Sequence, residues 1–199
     1  MDAMNTQTWI ILAGVVVLAA IALGAWFFYR RQQSQRLEQR FGPEYGRAVD
    51  QLGSRSKAEA ELKSREKRVE HLDIVPLLPA EAARFSQAWK VLQGSFVDNP
   101  KGVVVQADQL VRELLLKRGY PIGDFERRAA DISVDHPAVV SNYRAAQAIA
   151  ARDQRGEADT EELRKAVVYF RALFDELLEV GEAKPVVTVT PAKQMEMHS

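Results

Sequence analysis

No cysteine occurs among the 199 residues, so disulfides, thiolate nucleophiles and cysteine-ligated metals are excluded. That absence leaves the compartment open, because domains without disulfides exist on both sides of a membrane. A charge excess of one sign is also missing: 27 basic residues balance 27 acidic ones. This argues against a nucleic-acid partner, whose phosphates call for a basic face. There is no glycine-rich phosphate loop, dinucleotide fingerprint or G-x-S-x-G elbow. Histidine is limited to three residues, and neither H-E-x-x-H nor paired E-x-x-H spacing occurs. Motifs therefore assign no catalytic residue, cofactor or metal ligand. Alternating apolar runs are too few to build a sheet, which leaves an all-α reading.

What is present begins with residues 9–29, WIILAGVVVLAAIALGAWFFY, a stretch without a charged residue. About twenty residues at 1.5 Å rise cover the roughly 30 Å hydrocarbon core, and a helix satisfies its own backbone there. Residues 1–8 carry no Lys or Arg, and the apolar run ends in bulky Trp26, Phe27, Phe28 and Tyr29. Both features predict a retained anchor rather than a cleaved signal peptide. Trp9 at one end and the aromatic group at the other have the character of interfacial belts. Residues 30–47 hold five arginines against Glu38 and Glu44, so the positive-inside rule puts residues 1–8 outside and the domain after the span in the cytoplasm. Arg30, Arg31, Arg36 and Arg40 are the candidates for contact with anionic lipid headgroups, at about 1 kcal/mol each, although a topology signal alone accounts for them. Ala20 and Gly24 form a small-xxx-small pair that would let two copies pack as a homodimer.

Residues 30–71 carry eleven Lys/Arg and seven Asp/Glu. They are read as a basic juxtamembrane segment and a charged stalk helix. Gly42-Pro43 predicts a bend and restart. From residue 44 the stripe Tyr45, Val49, Leu52, Leu62 and Val69 is spoiled near Arg55, Glu59 and Glu66, which suggests a solvated helix that Gly53-Ser54 would break. Residues 72–79, LDIVPLLP, predict an extended connection packed on the domain.

Residues 72–181 predict a four-helix-type bundle, since amphipathic helices bury their stripes only against one another. The stripes are Phe85, Trp89, Leu92 and Phe96, then Val104, Ala107, Leu110, Val111, Leu114 and Leu115 with Gly119 as a stop. Val139, Val140, Tyr143, Ala146 and Ala150 come next, and last Leu163, Val167, Phe170, Leu173, Phe174 and Leu177, with Thr160 as cap and Gly181 as stop. Residues 182–199 lack a stripe and are read as a tail.

Residues 119–137 are the least periodic part of the domain. Asp124 is positioned to cap a short helix carrying Phe125, Ala129 and Ile132, and Asp135 to cap the next, with Pro137 in its first turn. Asp124, Glu126, Asp131, Asp135 and His136 fall within thirteen positions. Capping is the simplest account. A protein-contact surface of Asp124, Arg127, Arg128, Asp131, Asp135 and His136 is the second reading, and a metal or acid/base site at Asp131, Asp135 and His136 the third.

Residues 40–45 (RFGPEY), 93–100 (QGSFVDNP), 118–137 (RGYPIGDFERRAADISVDHP) and Tyr143-Arg144 resemble a bacterial family of single-span membrane proteins without an assigned activity. The resemblance extends over nearly the whole chain except the tail. It implies an anchored helical domain in a bacterial inner membrane and transfers no site residues. The expected role is a membrane-tethered interaction or scaffold module with a protein partner. A small membrane-bound enzyme and a self-associating envelope protein are the alternatives.

Overall fold

The computed structural model describes residues 3–178. Its order is α1 (Ala3–Phe41), α2 (Pro43–Leu52), α3 (Arg55–Val69), α4 (Pro79–Gly94), α5 (Pro100–Lys117), α6 (Phe125–Asp135), α7 (Pro137–Gln154) and α8 (Thr160–Leu177). The described residues contain no strand, so the chain is all-α. The Gly181 stop and the 182–199 tail lie outside them.

Proline sets several of the boundaries. Pro43, Pro79, Pro100 and Pro137 each stand in the first turn of their helix, where the missing N–H costs nothing and φ is preset. Gly42 joins α1 to α2 at φ 48°, and Gly53 ends α2 at φ 62°. Gly119 (φ 96°) closes α5. Tyr120 N–H donates to Leu115 O and Gly119 N–H to Leu116 O, both at 3.0 Å, the paired bonds of a Schellman ending. The cap of α8 is Asp159, not Thr160. Its carboxylate accepts from Glu162 N–H at 2.8 Å, while Glu162 accepts from Asp159 N–H at 3.2 Å, a capping box one residue earlier than the spacing suggested.

The principal core lies among α4, α5, α7 and α8, with α6 closing one side. Trp89 and Phe174 stack at 4.5 Å between ring centroids. Tyr143 packs against Phe125 and Phe170. The connection at residues 72–78 lies on this core, with Leu77 buried and Val75 N–H donating to Arg118 O at 2.9 Å.

A second core changes the reading of residues 30–71. Leu37 and Phe41 of α1, Tyr45 and Ala48 of α2, Ala58, Leu62 and Val69 of α3 and Val134 of α6 form one buried cluster. The pairs Ser34–Glu59 and Arg40–Glu66 advance together along α1 and α3. α3 thus runs beside α1 in the same direction, and α2 returns between them. These residues form a folded hairpin on the base of α1, not a solvated stalk. Its charged residues were no obstacle to burial: Glu66 pairs with Arg40, Glu59 accepts from Ser34 and Tyr45, and Arg55 stays exposed.

Within α1, residues 11–41 include a stretch long and apolar enough to cross a membrane, and none of that stretch is buried against the rest of the protein.

Candidate functional site

Charged and polar side chains gather in three places: the 124–136 segment, the buried ion pairs behind it, and the clefts. Asp124 caps α6 as its spacing predicts, accepting from Arg127 N–H at 2.9 Å, and both residues are exposed. The other four do not make an exposed surface together. Arg128 is buried, donating from Nε to the Tyr143 hydroxyl at 2.8 Å and from Nη1 to Gly123 O at 3.0 Å. Asp131 is 1% exposed, and its Oδ1 accepts from Nε and Nη2 of Arg68, each at 2.7 Å. Asp135 stays exposed but does not cap α7. Its carboxylate accepts from the Tyr120 hydroxyl at 2.9 Å, and His136 takes the cap position without a side-chain bond. His136 is buried, with Nδ1 at 3.4 Å from Glu176 Oε1.

Asp131, Asp135 and His136 thus turn to three separate partners. Among the described residues no group of three or more His, Asp or Glu converges as a metal ion requires. Burial, then the Asp135 charge and hydrogen bond, push the Tyr120 phenol well above its ordinary range, so it remains a neutral donor to that carboxylate.

Behind this segment lies a network that local sequence does not announce. Glu44, in the first turn of α2, is buried. Its Oε1 accepts from Arg144 Nε at 2.9 Å and its Oε2 from Arg144 Nη2 at 3.2 Å, while Arg65 Nη1 lies 3.6 Å from Oε2. Arg144 also donates to Glu126 at 2.6 Å. Burial works against the charged guanidinium, but Glu44 and Glu126 outweigh it and raise the Arg144 pKa. The pair spans a hundred positions in sequence, and it joins the hairpin to α6 and α7. The one local hint was the spacing of Ala58, Leu62, Arg65 and Val69, which puts a single charge on an otherwise apolar face and so demands a buried partner. Asp108, also buried, is held by Arg112 and Gln147.

A cleft of about 610 Å³ opens where the apolar run of α1 ends. Trp26, Phe27, Arg30, Arg31, Ser34, Gln35 and Glu38 line one wall, and Arg55, Ser56 and Glu59 of α3 the other. The Arg30 guanidinium lies 4.9 Å from the Trp26 ring centroid, and that of Arg55 5.9 Å from Tyr45. Of the four arginines singled out for lipid, Arg40 pairs with Glu66 at 2.9 Å. Arg30, Arg31 and Arg36 are exposed, and no carboxylate lies within ion-pair distance of them among the described residues. Arg55 shares that condition and was not foreseen, because only the fold-back of α3 brings it to α1.

A second cleft, about 340 Å³, separates α4 from α5 and is lined by Gln87, Ala88, Val91, Leu92, Gln106, Gln109, Leu110 and Glu113. Val91 beside it is 63% exposed. Ala20 and Gly24 lie exposed on α1, with open space where a Gly24 side chain would be.

No family model, curated protein or solved structure matches this chain.

Proposed function

We propose that this chain is a membrane-anchored helical interaction module. α1 crosses a bacterial inner membrane with its N-terminus outside, and the hairpin and bundle face the cytoplasm. The observation that carries the reading is the continuity of α1. One helix extends from the bare apolar run, through Arg30 and Arg31, to Leu37 and Phe41 in the second core. Nothing in the described protein covers the apolar run, and lipid is the medium in which about twenty exposed apolar residues are stable. The five arginines of residues 30–47 give the orientation by the positive-inside rule. The role that suits the geometry is to hold a binding face at a fixed place above the bilayer.

The face best suited to a protein partner is the α4–α5 cleft rather than residues 124–136, where Arg128, Asp131, Asp135 and His136 are turned to partners within the protein. Val91 and Leu110 beside glutamines offer apolar area with a polar rim, the pattern of a groove that takes an amphipathic helix. A photo-crosslinking residue at Val91 or Leu110 of the full-length protein in cells tests this. A discrete protein adduct is expected from either position; that from Leu110 should be lost on Gln109→Glu with Val91→Asp, and none should form when the crosslinker stands at exposed Lys165. Adducts only with lipid or with the chain itself would overturn the reading.

A further inference from the structure

We propose that the cleft between α1 and the start of α3 is a binding site for the headgroup of an anionic phospholipid, drawn from the bilayer that α1 crosses. The proposal rests on the anchored reading and adds to it a ligand class and the residues that select it.

Depth comes first. Trp26 and Phe27, at the end of the apolar run, form one side of the cleft, and aromatic side chains in that position mark the headgroup level. A molecule seated there has its acyl chains beside the apolar run and its polar part beside the arginines. Charge comes second. Arg30, Arg31 and Arg55 border the cleft from two helices with no carboxylate in ion-pair distance among the described residues. Further from the bilayer, Arg40, Arg65, Arg68 and Arg144 are all paired with carboxylates. Exposed Arg84 and Arg127 also lack a carboxylate among the described residues, but they stand singly on α4 and α6, whereas Arg30, Arg31 and Arg55 share one cleft at the end where anionic lipid is available. Of the two glutamates in the lining, Glu59 accepts from Ser34 at 2.5 Å and Tyr45 at 3.0 Å, which fixes its carboxylate on those hydroxyls; with Glu38 it sets two negative charges against the three arginines, a balance that stays positive. α3 also enters by its N-terminal end, with no acidic residue in its first turn and no side-chain cap from Ser54, so the partial charge there has the sign of the arginines.

Size is third. About 610 Å³ exceeds what a bare phosphate fills and accommodates a glycerophosphate with its ester linkages. Guanidinium groups from two helices suit a phosphodiester, whose oxygens accept paired N–H bonds. A choline headgroup would place its quaternary cation among three arginines, so the cleft discriminates against zwitterionic lipid.

The full-length protein in nanodiscs of phosphatidylcholine, with and without phosphatidylglycerol, gives the test. Lipid that remains after mild detergent extraction is counted by native mass spectrometry. Phosphatidylglycerol is expected to be retained over phosphatidylcholine. Arg31→Gln and Arg55→Gln should each lower that preference about fivefold, the effect of one basic side chain at a charged surface, and Arg55→Lys, which keeps the charge but not the paired N–H donors, should restore it only in part. Arg36→Gln, which removes an equally unpaired arginine outside the cleft, should change it less than twofold. All variants are at exposed positions, and circular dichroism confirms that helix content is kept. Equal losses for Arg36→Gln and Arg55→Gln would overturn the site and leave only general surface attraction. Incorporation into the discs without a preference would overturn the site while leaving the anchor intact. Failure to incorporate would refute the anchored reading itself.

Discussion

Neutralising Glu44 is the sharpest probe of how the hairpin is held to the bundle. Its side chain is 4% exposed, that of Arg65 9% and that of Arg144 10%. Glu44→Gln keeps the shape but leaves two largely desolvated guanidinium groups facing a neutral amide. Breaking one side of a buried pair costs about 3–5 kcal/mol, because the remaining charge has neither water nor a partner. Here each arginine keeps a second carboxylate, Glu126 for Arg144 and Glu61 for Arg65. Both of these are substantially exposed and screened, which places the expected loss at the lower end, about 3 kcal/mol. Equilibrium unfolding of the full-length protein in detergent, followed by circular dichroism, measures it. In a cycle with Arg144→Met the two changes should be non-additive by at least about 1 kcal/mol. Hydrogen exchange should localise the damage. Amides of α2 and α3 lose protection first, while α5 and α8, in the other core, keep theirs. A loss below about 0.5 kcal/mol, the level of an ordinary surface change, would refute the claim that these charges are buried and coupled.

Three further outcomes follow from individual sites. A Cβ at Gly119 would stand 2.2 Å from Asp73 O, at a φ of 96° that side chains avoid, so Gly119→Ala should destabilise by more than about 2 kcal/mol, read by the same unfolding measurement. Asp159→Ala removes the α8 cap and should cost about 1 kcal/mol, whereas Thr160→Ala should cost clearly less; equal costs would move the cap. Burial and the neighbouring Asp135 carboxylate raise the Tyr120 pKa above the unfolded value near 10. The unfolded chain therefore releases this proton first. Its contribution is complete below about pH 10 and is lost as pH rises beyond it, at up to about 1.4 kcal/mol per pH unit. Tyr120→Phe should flatten that alkaline limb, and an unchanged slope would show that the phenol is not shielded.

Much of the fold was legible because its signals were local. Proline in the first turn of α2 and α7, glycine at residues 42, 53 and 119, and apolar residues at three- and four-residue spacing depend on nothing distant, whereas Pro79, read as the end of the connection, opens α4. The hairpin was harder to see because α3 offers only Ala58, Leu62 and Val69 to its core. So thin a stripe among paired charges reads as solvated until the partners on α1 and α6 are known. The 124–136 segment failed for the complementary reason. Arg128 and Asp131 have the composition of an exposed patch, yet Tyr143 and Arg68 satisfy them from 15 and 63 positions away. Sequence spacing carries no trace of such pairings. It also could not bring Arg55 to Arg30 and Arg31, because that proximity is created by the return of α2.

The two cores bear on how a binding face would be presented. A stalk would let the bundle wander above the bilayer and meet partners in many orientations. Here Leu72 and Ile74 pack against both cores, while the pairs Glu44–Arg144 and Arg68–Asp131 cross from hairpin to bundle. Two apolar contacts and two desolvated ion pairs resist independent rotation, since any turn would separate charges that have little water to replace their partners. The direction of α1 is therefore passed through the hairpin to the bundle. A helix anchored at Trp26 would set the height of the α4–α5 cleft as well as its facing. Under the anchored reading, lengthening the chain between α1 and α2 at Gly42 should leave membrane insertion intact but lower crosslinking from Val91, because the partner would no longer find the groove at a fixed depth. Unchanged crosslinking in that variant would show that tethering alone suffices and that the rigid base has another use.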